Sequence, residues 1–132
     1  MGYDANGSGE LIIKRENFDK VVEAYHEWTG ADGWQTQLTS NIEAVFNDQG
    51  FEISFDKNGN TEWVDFLYEK YHEQSAFIKM LAPWIENGSS IDFTGEDGAM
   101  WRISVFNHKF YETDGVVIFP GDPYWEEAEG SK

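Results

Sequence analysis

The stretch IDFTGEDGAMWRISVFNHKFYETDG, residues 91–115, decides the fold. Its apolar runs are separated by Gly95 to Gly98 and by Asn107-His108, and it ends in Asp114-Gly115. Asp-Gly pairs favour the primed turns whose twist suits antiparallel hairpins. The stretch therefore predicts a meander with strands at 91–94, 100–106 and 109–113, followed by a last strand at 116–119.

Upstream of the meander, alternation predicts another hairpin. Phe51, Ile53 and Phe55 alternate with polar residues, as in a half-buried strand. A turn rich in Asn and Gly follows at 56–60, and apolar residues resume at 63–67 as the second strand. A short first strand is predicted at 10–15.

Helical spacing marks three segments. Residues 18–28 carry apolar side chains at helical intervals between a candidate N-cap, Asn17, and a stop at Gly30. A second helix is expected from Ser40 to Gly50, because Ser40 and Glu43 have capping-box spacing. A third is expected over 73–85, with Pro83 kinking it or beginning a separate last turn.

These elements predict an α+β fold in the order β-α-α-β-β-α-β-β-β-β. One antiparallel sheet with the helices packed on one face accommodates this order. The length, 132 residues, suits a single domain over 1–132. We expect a loose, glycine-rich N-terminus at 1–9 and a fraying acidic tail at 122–132.

Charge limits the classes of partner. The chain has 25 Asp and Glu against 9 Lys and Arg, a net charge of −16. Direct binding to nucleic acid is disfavoured because phosphate contacts need basic side chains, and an anionic membrane repels such a chain. There is no cysteine, no signal-peptide pattern and no apolar run of the roughly 20 residues that span a bilayer, so we expect a cytoplasmic protein.

Motifs for catalysis, metals and cofactors are missing. Neither HExxH nor GxSxG occurs, and His26, His72 and His108 lack metal-ligand spacing. The Gly7-Ser8-Gly9 segment precedes a predicted strand, whereas a phosphate-binding loop precedes a helix. We predict no catalytic residue, no metal and no cofactor.

Acidic residues in the middle of the chain are the candidate partner-binding site. An acidic surface attracts a basic partner or imitates the phosphates of nucleic acid, and the alternative is that the charge serves solubility alone. Large aromatic residues in predicted loops are common interface anchors. The candidate residues are Glu43, Asp48, Glu52, Asp56, Glu62, Asp65 and Glu69, with Trp34 as the anchor.

One segment resembles a recurring sequence pattern. Residues 81–91, LAPWIENGSSI, followed by residues 95–102, GEDGAMWR, are similar to a segment of short, acidic, uncharacterised bacterial and phage proteins. The shared pattern is "GS-x-I" and then "GEDG-x-x-W-R". The resemblance implies a helix stop, a strand and a hairpin, and it implies no activity.

Three functions from different classes remain open. The first is an acidic inhibitor that binds the basic surface of a nuclease or defence effector by nucleic-acid mimicry, like a phage anti-defence (anti-CRISPR-like) or nuclease-immunity protein. The second is a non-catalytic housekeeping or scaffold domain that binds an unknown protein or forms a homodimer. The third is a small enzyme with an unlocated site. Exposed tryptophans also leave carbohydrate or small-ligand binding open.

Overall fold

The computed structural model describes residues 3–71 and 74–115, with the backbone alone at 68–70. It confirms the predicted α+β class: one antiparallel sheet has strand order β2-β3-β1-β4-β5-β6, and the helices pack on one face. The strands are β1 Asp4–Glu10, β2 Phe51–Phe55, β3 Thr61–Lys70, β4 Ser90–Gly95, β5 Met100–Phe106 and β6 Lys109–Asp114. The helices are α1 Phe18–Thr29, α2 Gln35–Leu38, α3 Ile42–Asp48 and α4 Gln74–Leu81, with 3₁₀ turns at Arg15–Asn17 and Ala82–Trp84.

The N-terminal prediction is wrong for residues 4–9, which form most of a strand in the middle of the sheet. β1 pairs antiparallel with β3 on one side and with β4 on the other. Its helix-facing positions are small because β4 lies close by: a Cβ at Gly9 would lie 1.9 Å from the Ser90 carbonyl oxygen. The glycines that suggested a loose segment therefore permit close packing inside a sheet.

The predicted first strand at 10–15 is also wrong. Leu11 and Ile13 are buried, but their backbone connects elements instead of forming a strand. The Leu11 N–H donates to the Glu62 carbonyl, and the Ile13 carbonyl accepts from the Thr61 N–H, both at 3.1 Å. Ile13 forms only an isolated bridge, to Ile85.

The core lies between the sheet and the helices. The ring of Phe77 in α4 packs against Tyr25 of α1 and Phe46 of α3, with centroid distances of 5.6 Å and 5.2 Å. Phe51 of β2 and Phe66 of β3 meet them from the sheet and are fully buried. Aromatic residues on one side of β2 and β3 thus face the helices in the core.

The helix ends agree with the sequence at Gly30 but not at the predicted N-caps, since Asn17 precedes α1 without a side-chain capping hydrogen bond. Gly30 ends α1 in the left-handed conformation (φ 74°), as predicted. The predicted cap at Ser40 is wrong, because the Asn41 side chain accepts from the Ala44 N–H at 2.8 Å. The meander is confirmed to residue 114, and Asn107 and His108 both have positive φ, as a type I′ turn requires. The predicted strand at 116–119 and the tail at 122–132 lie outside the described residues.

Candidate functional site

The sheet has a second face that none of the described helices covers, and we call it the open face. Strand residues alternate in direction, so the neighbours of buried residues point to it. Trp63, Leu67 and Tyr111 lie there with 44%, 52% and 47% of their surface exposed. The open face is therefore a sheet surface that none of the described helices packs against.

Strand register arranges the open face in two rows that each cross all six strands. Five strand spacings make each row about 24 Å long. The aromatic row has Trp63 and Tyr111 near its two ends and small or acidic residues between them. The carboxylate row carries three acids and one arginine. The aromatic row is Ser54, Trp63, Glu10, Ser90, Ser104 and Tyr111, and the carboxylate row is Glu52, Asp65, Ser8, Asp92, Arg102 and Thr113.

The positive charge on the open face is partly neutralised. Arg102 donates to both Asp92 oxygens, with Nε 2.5 Å from Oδ1 and an Nη 3.1 Å from Oδ2. This hydrogen bond lowers the pKa of Asp92 below its usual range and raises that of Arg102. Among the described side chains, Lys109, the first residue of β6, is a second base on this face. Within the described residues, no ion pair joins Glu10, Glu52 or Asp65 to a base.

Trp63, Asp65 and Glu52 form the most specific arrangement on the open face. The indole Nε1 of Trp63 donates to Asp65 Oδ1 at 3.3 Å, which orients the ring along β3. Glu52 of β2 is the direct cross-strand partner of Asp65. Like charges directly opposite each other on neighbouring strands are destabilising, so this pair does not serve the stability of the sheet. A depression of about 280 Å³ opens beside them, lined by Asn47, Gly50, Phe51, Glu52 and Leu67.

Among the described side chains, the structure brings together two of the predicted partner-binding acids, Glu52 and Asp65. Glu43 lies exposed in the first turn of α3, in the helix layer. Asp48 ends α3 and accepts a hydrogen bond from the buried Tyr25 hydroxyl, so it also ties α3 to α1. Glu62 is exposed next to a β-bulge.

Asp56 organises the hairpin turn between β2 and β3. Its Oδ1 accepts from the backbone N–H groups of Asn58 at 2.8 Å and Asn60 at 3.0 Å. Burial alone raises its pKa, but these hydrogen bonds outweigh burial and leave the pKa below its usual value. The side chain of Glu69 lies outside the described part, although its backbone pairs with Ala5.

Trp34 stands apart from the open face. It precedes the short helix α2 on the segment joining α1 to α3 and is 69% exposed. Leu38, one turn later, is 67% exposed. Together they form a separate small apolar protrusion.

Sequence reasoning missed Glu10 and Asp92 as members of the acidic surface. Both alternate with buried residues, Gly9 and Leu11 around Glu10 and Ile91 and Phe93 around Asp92. The sequence shows this alternation for β4, but it does not show that β4 pairs with β1. β1 places Ser8 between Asp65 and Asp92, two acids that lie far apart in sequence, and it places Glu10 beside Trp63.

The described histidines do not form a catalytic arrangement. His26 Nε2 lies 2.8 Å from the Thr39 carbonyl oxygen and 3.0 Å from Thr39 Oγ1. A carbonyl only accepts, so this nitrogen carries a hydrogen and cannot act as a base toward the Thr39 hydroxyl. His108 occupies a tight turn, and His72 lies outside the described residues. Over 3–71 and 74–115, no group of three or more His, Asp or Glu side chains could hold a metal ion.

None of the helices in the described ranges is long and apolar enough to cross a membrane. No protein-family model, curated protein or solved structure matches the chain.

Proposed function

We propose that this protein is a non-catalytic binding protein whose open face engages the basic surface of a partner that itself binds nucleic acid. The observation that carries the proposal is the open face, which no described helix covers and on which Glu10, Glu52 and Asp65 have no basic partner among the described residues. Occupying a phosphate-binding groove with carboxylates makes the protein an inhibitor by mimicry of nucleic acid.

Three physical arguments support this proposal over an enzyme or a purely solubilising surface. The acids lie on one rigid sheet, so they form a fixed pattern of charge with little conformational entropy to lose on binding. The net charge of −16 steers a basic partner toward the protein and speeds association. The open face also carries exposed aromatic residues, which solubility does not require.

A pull-down from lysate of the source organism, with a matched pair of variants, tests the proposal. The open-face variant combines Glu10→Gln, Glu52→Gln and Asp65→Asn. The control combines Glu23→Gln, Glu27→Gln and Asp32→Asn, which lie exposed on the helix side. Both variants lose three negative charges by the same types of substitution, so they differ only in where on the protein the charges are removed.

We expect capture of a basic, nucleic-acid-binding protein at about 50 mM salt and its release at about 500 mM, where screening is strong. Duplex DNA should displace it. The open-face variant should bind that partner about tenfold more weakly, since each exposed charge contributes up to about 1 kcal/mol, and the control should bind like the wild type. Equal binding by both variants, or a partner indifferent to salt and DNA, contradicts the proposal.

A further inference from the structure

We infer that Trp63, Asp65, Glu52 and Leu67 form a recognition site for an arginine side chain of the partner. This inference rests on the proposed function, and it specifies the chemical group that the open face recognises. The occupant is a guanidinium carried on an exposed segment of a basic protein.

The aromatic part of the site is already oriented. Trp63 is 44% exposed and its indole Nε1 donates to Asp65 Oδ1, so this hydrogen bond orients the ring before any partner arrives. A guanidinium is planar and weakly hydrated, and it stacks on an indole with both cation–π attraction and ring contact. The ammonium group of lysine gains less from stacking on the indole, because it is compact and strongly hydrated.

The carboxylates match the donors of the same group. Asp65 Oδ1 accepts from Trp63, which leaves Asp65 Oδ2 and the Glu52 carboxylate for an incoming cation. The Cβ atoms of directly opposite residues in an antiparallel pair lie about 5 Å apart, a distance that the forked donors of arginine bridge. Binding would also relieve the repulsion between Glu52 and Asp65.

The remaining surface suits the aliphatic stem of arginine. Leu67 follows Trp63 and Asp65 along the open side of β3 and is 52% exposed. The depression of about 280 Å³ between Glu52 and Leu67 lies at the free edge of the sheet, where β2 begins. Long basic side chains place their methylene groups on apolar surface while the charged end reaches polar groups. The site therefore offers an apolar, an aromatic and an anionic contact to one side chain.

The test compares acetylated hexa-arginine with acetylated hexa-lysine, which carry equal charge. Calorimetry gives the affinities, and the indole N–H resonance of Trp63 is identified as the one lost in Trp63→Leu. We expect hexa-arginine to bind about fivefold more tightly and to shift that resonance. Trp63→Leu should remove the preference and leave hexa-lysine affinity within about twofold.

Trp34→Leu is the matched control, because it makes the same substitution at an exposed tryptophan that stands apart from the open face. It should leave both affinities and the preference unchanged. Asp65→Asn provides a second variant should Trp63→Leu fold poorly: it keeps an acceptor for the indole but removes the charge, and it should weaken hexa-arginine more than hexa-lysine.

The outcomes separate the two proposals. Equal affinity for the two peptides, or a preference that survives Trp63→Leu and Asp65→Asn, overturns the arginine site. If the open-face variant still weakens both peptides equally, the anionic binding surface stands without it. If the open-face variant binds both peptides like the wild type, the arginine site and the binding role of the open face both fail.

Discussion

Replacing Gly9 by alanine tests the central position of β1. In the structure a Cβ at residue 9 would lie 1.9 Å from the Ser90 carbonyl oxygen and 2.7 Å from the Ile91 Cα, both backbone atoms of β4. Relief requires β1 and β4 to move apart, and these strands form the middle pair of the sheet. A flexible side chain could relieve such a clash by changing its rotamer, but the backbone of a paired strand cannot.

The expected cost lies at the upper end of the range for overpacking. Added atoms in a packed interior typically cost about 1–3 kcal/mol, and we expect Gly9→Ala to lower the free energy of unfolding by at least about 3 kcal/mol. For a domain of this size that corresponds to a melting temperature lower by about 10 °C. Urea unfolding followed by far-UV circular dichroism measures the free energy, and a thermal scan measures the temperature.

Two neighbouring substitutions make the result interpretable. At Gly7 the nearest atoms belong to the Phe93 ring, at 2.5 and 2.8 Å, so Gly7→Ala should cost less than Gly9→Ala. Ser8→Ala on the open face should change the stability by less than about 0.5 kcal/mol. A Gly9→Ala protein as stable as Ser8→Ala would refute the placement of β1 between β3 and β4.

Three further changes test other parts of the structure. Asn41→Ala should cost about 1 kcal/mol in urea unfolding by removing the cap of α3, while Ser40→Ala should cost nothing measurable; the reverse order would contradict the cap assignment. Phe77→Ala should cost about 3–5 kcal/mol, because it opens a cavity among the core aromatic rings, and a loss below about 1 kcal/mol would show that the helices do not pack as described. The pKa of Asp56 is lowered from 3.8, so its contribution to stability is present above that pH and disappears as the pH falls through the lower folded value. The stability difference between wild type and Asp56→Asn should therefore shrink below about pH 4, and a difference independent of pH would contradict the role of the carboxylate.

Local sequence patterns were sufficient for the elements whose signals are local. The hairpin turn at Asn107-His108, the stop at Gly30 and the break near Pro83 each depend on a few adjacent residues. The class of fold followed, because strands joined by tight turns can only pair antiparallel. In these cases chain neighbours are also neighbours in space.

The position of β1 could not be predicted in the same way. Gly7 and Gly9 carry no side chain, so they add nothing to the alternation of apolar and polar residues that indicates a strand. Their role depends on contacts with Phe93 and Ser90, which lie far along the chain. Without that strand, the acids of the carboxylate row cannot be aligned. The sequence thus identified Glu52 and Asp65 as candidates but could not show that they oppose each other or that the Trp63 indole hydrogen-bonds to Asp65.

The central place of β1 also determines when the sheet can assemble during synthesis. β1 leaves the ribosome well before its two partner strands, whose paired residues are 63–70 and 90–95. Until they emerge, β1 has no hydrogen-bonding strand, and the β2–β3 hairpin has no inner neighbour. Closing these long loops delays folding relative to a meander of the same length. A nascent chain stalled before residue 90 would therefore expose an unfinished sheet edge to chaperones and to other chains.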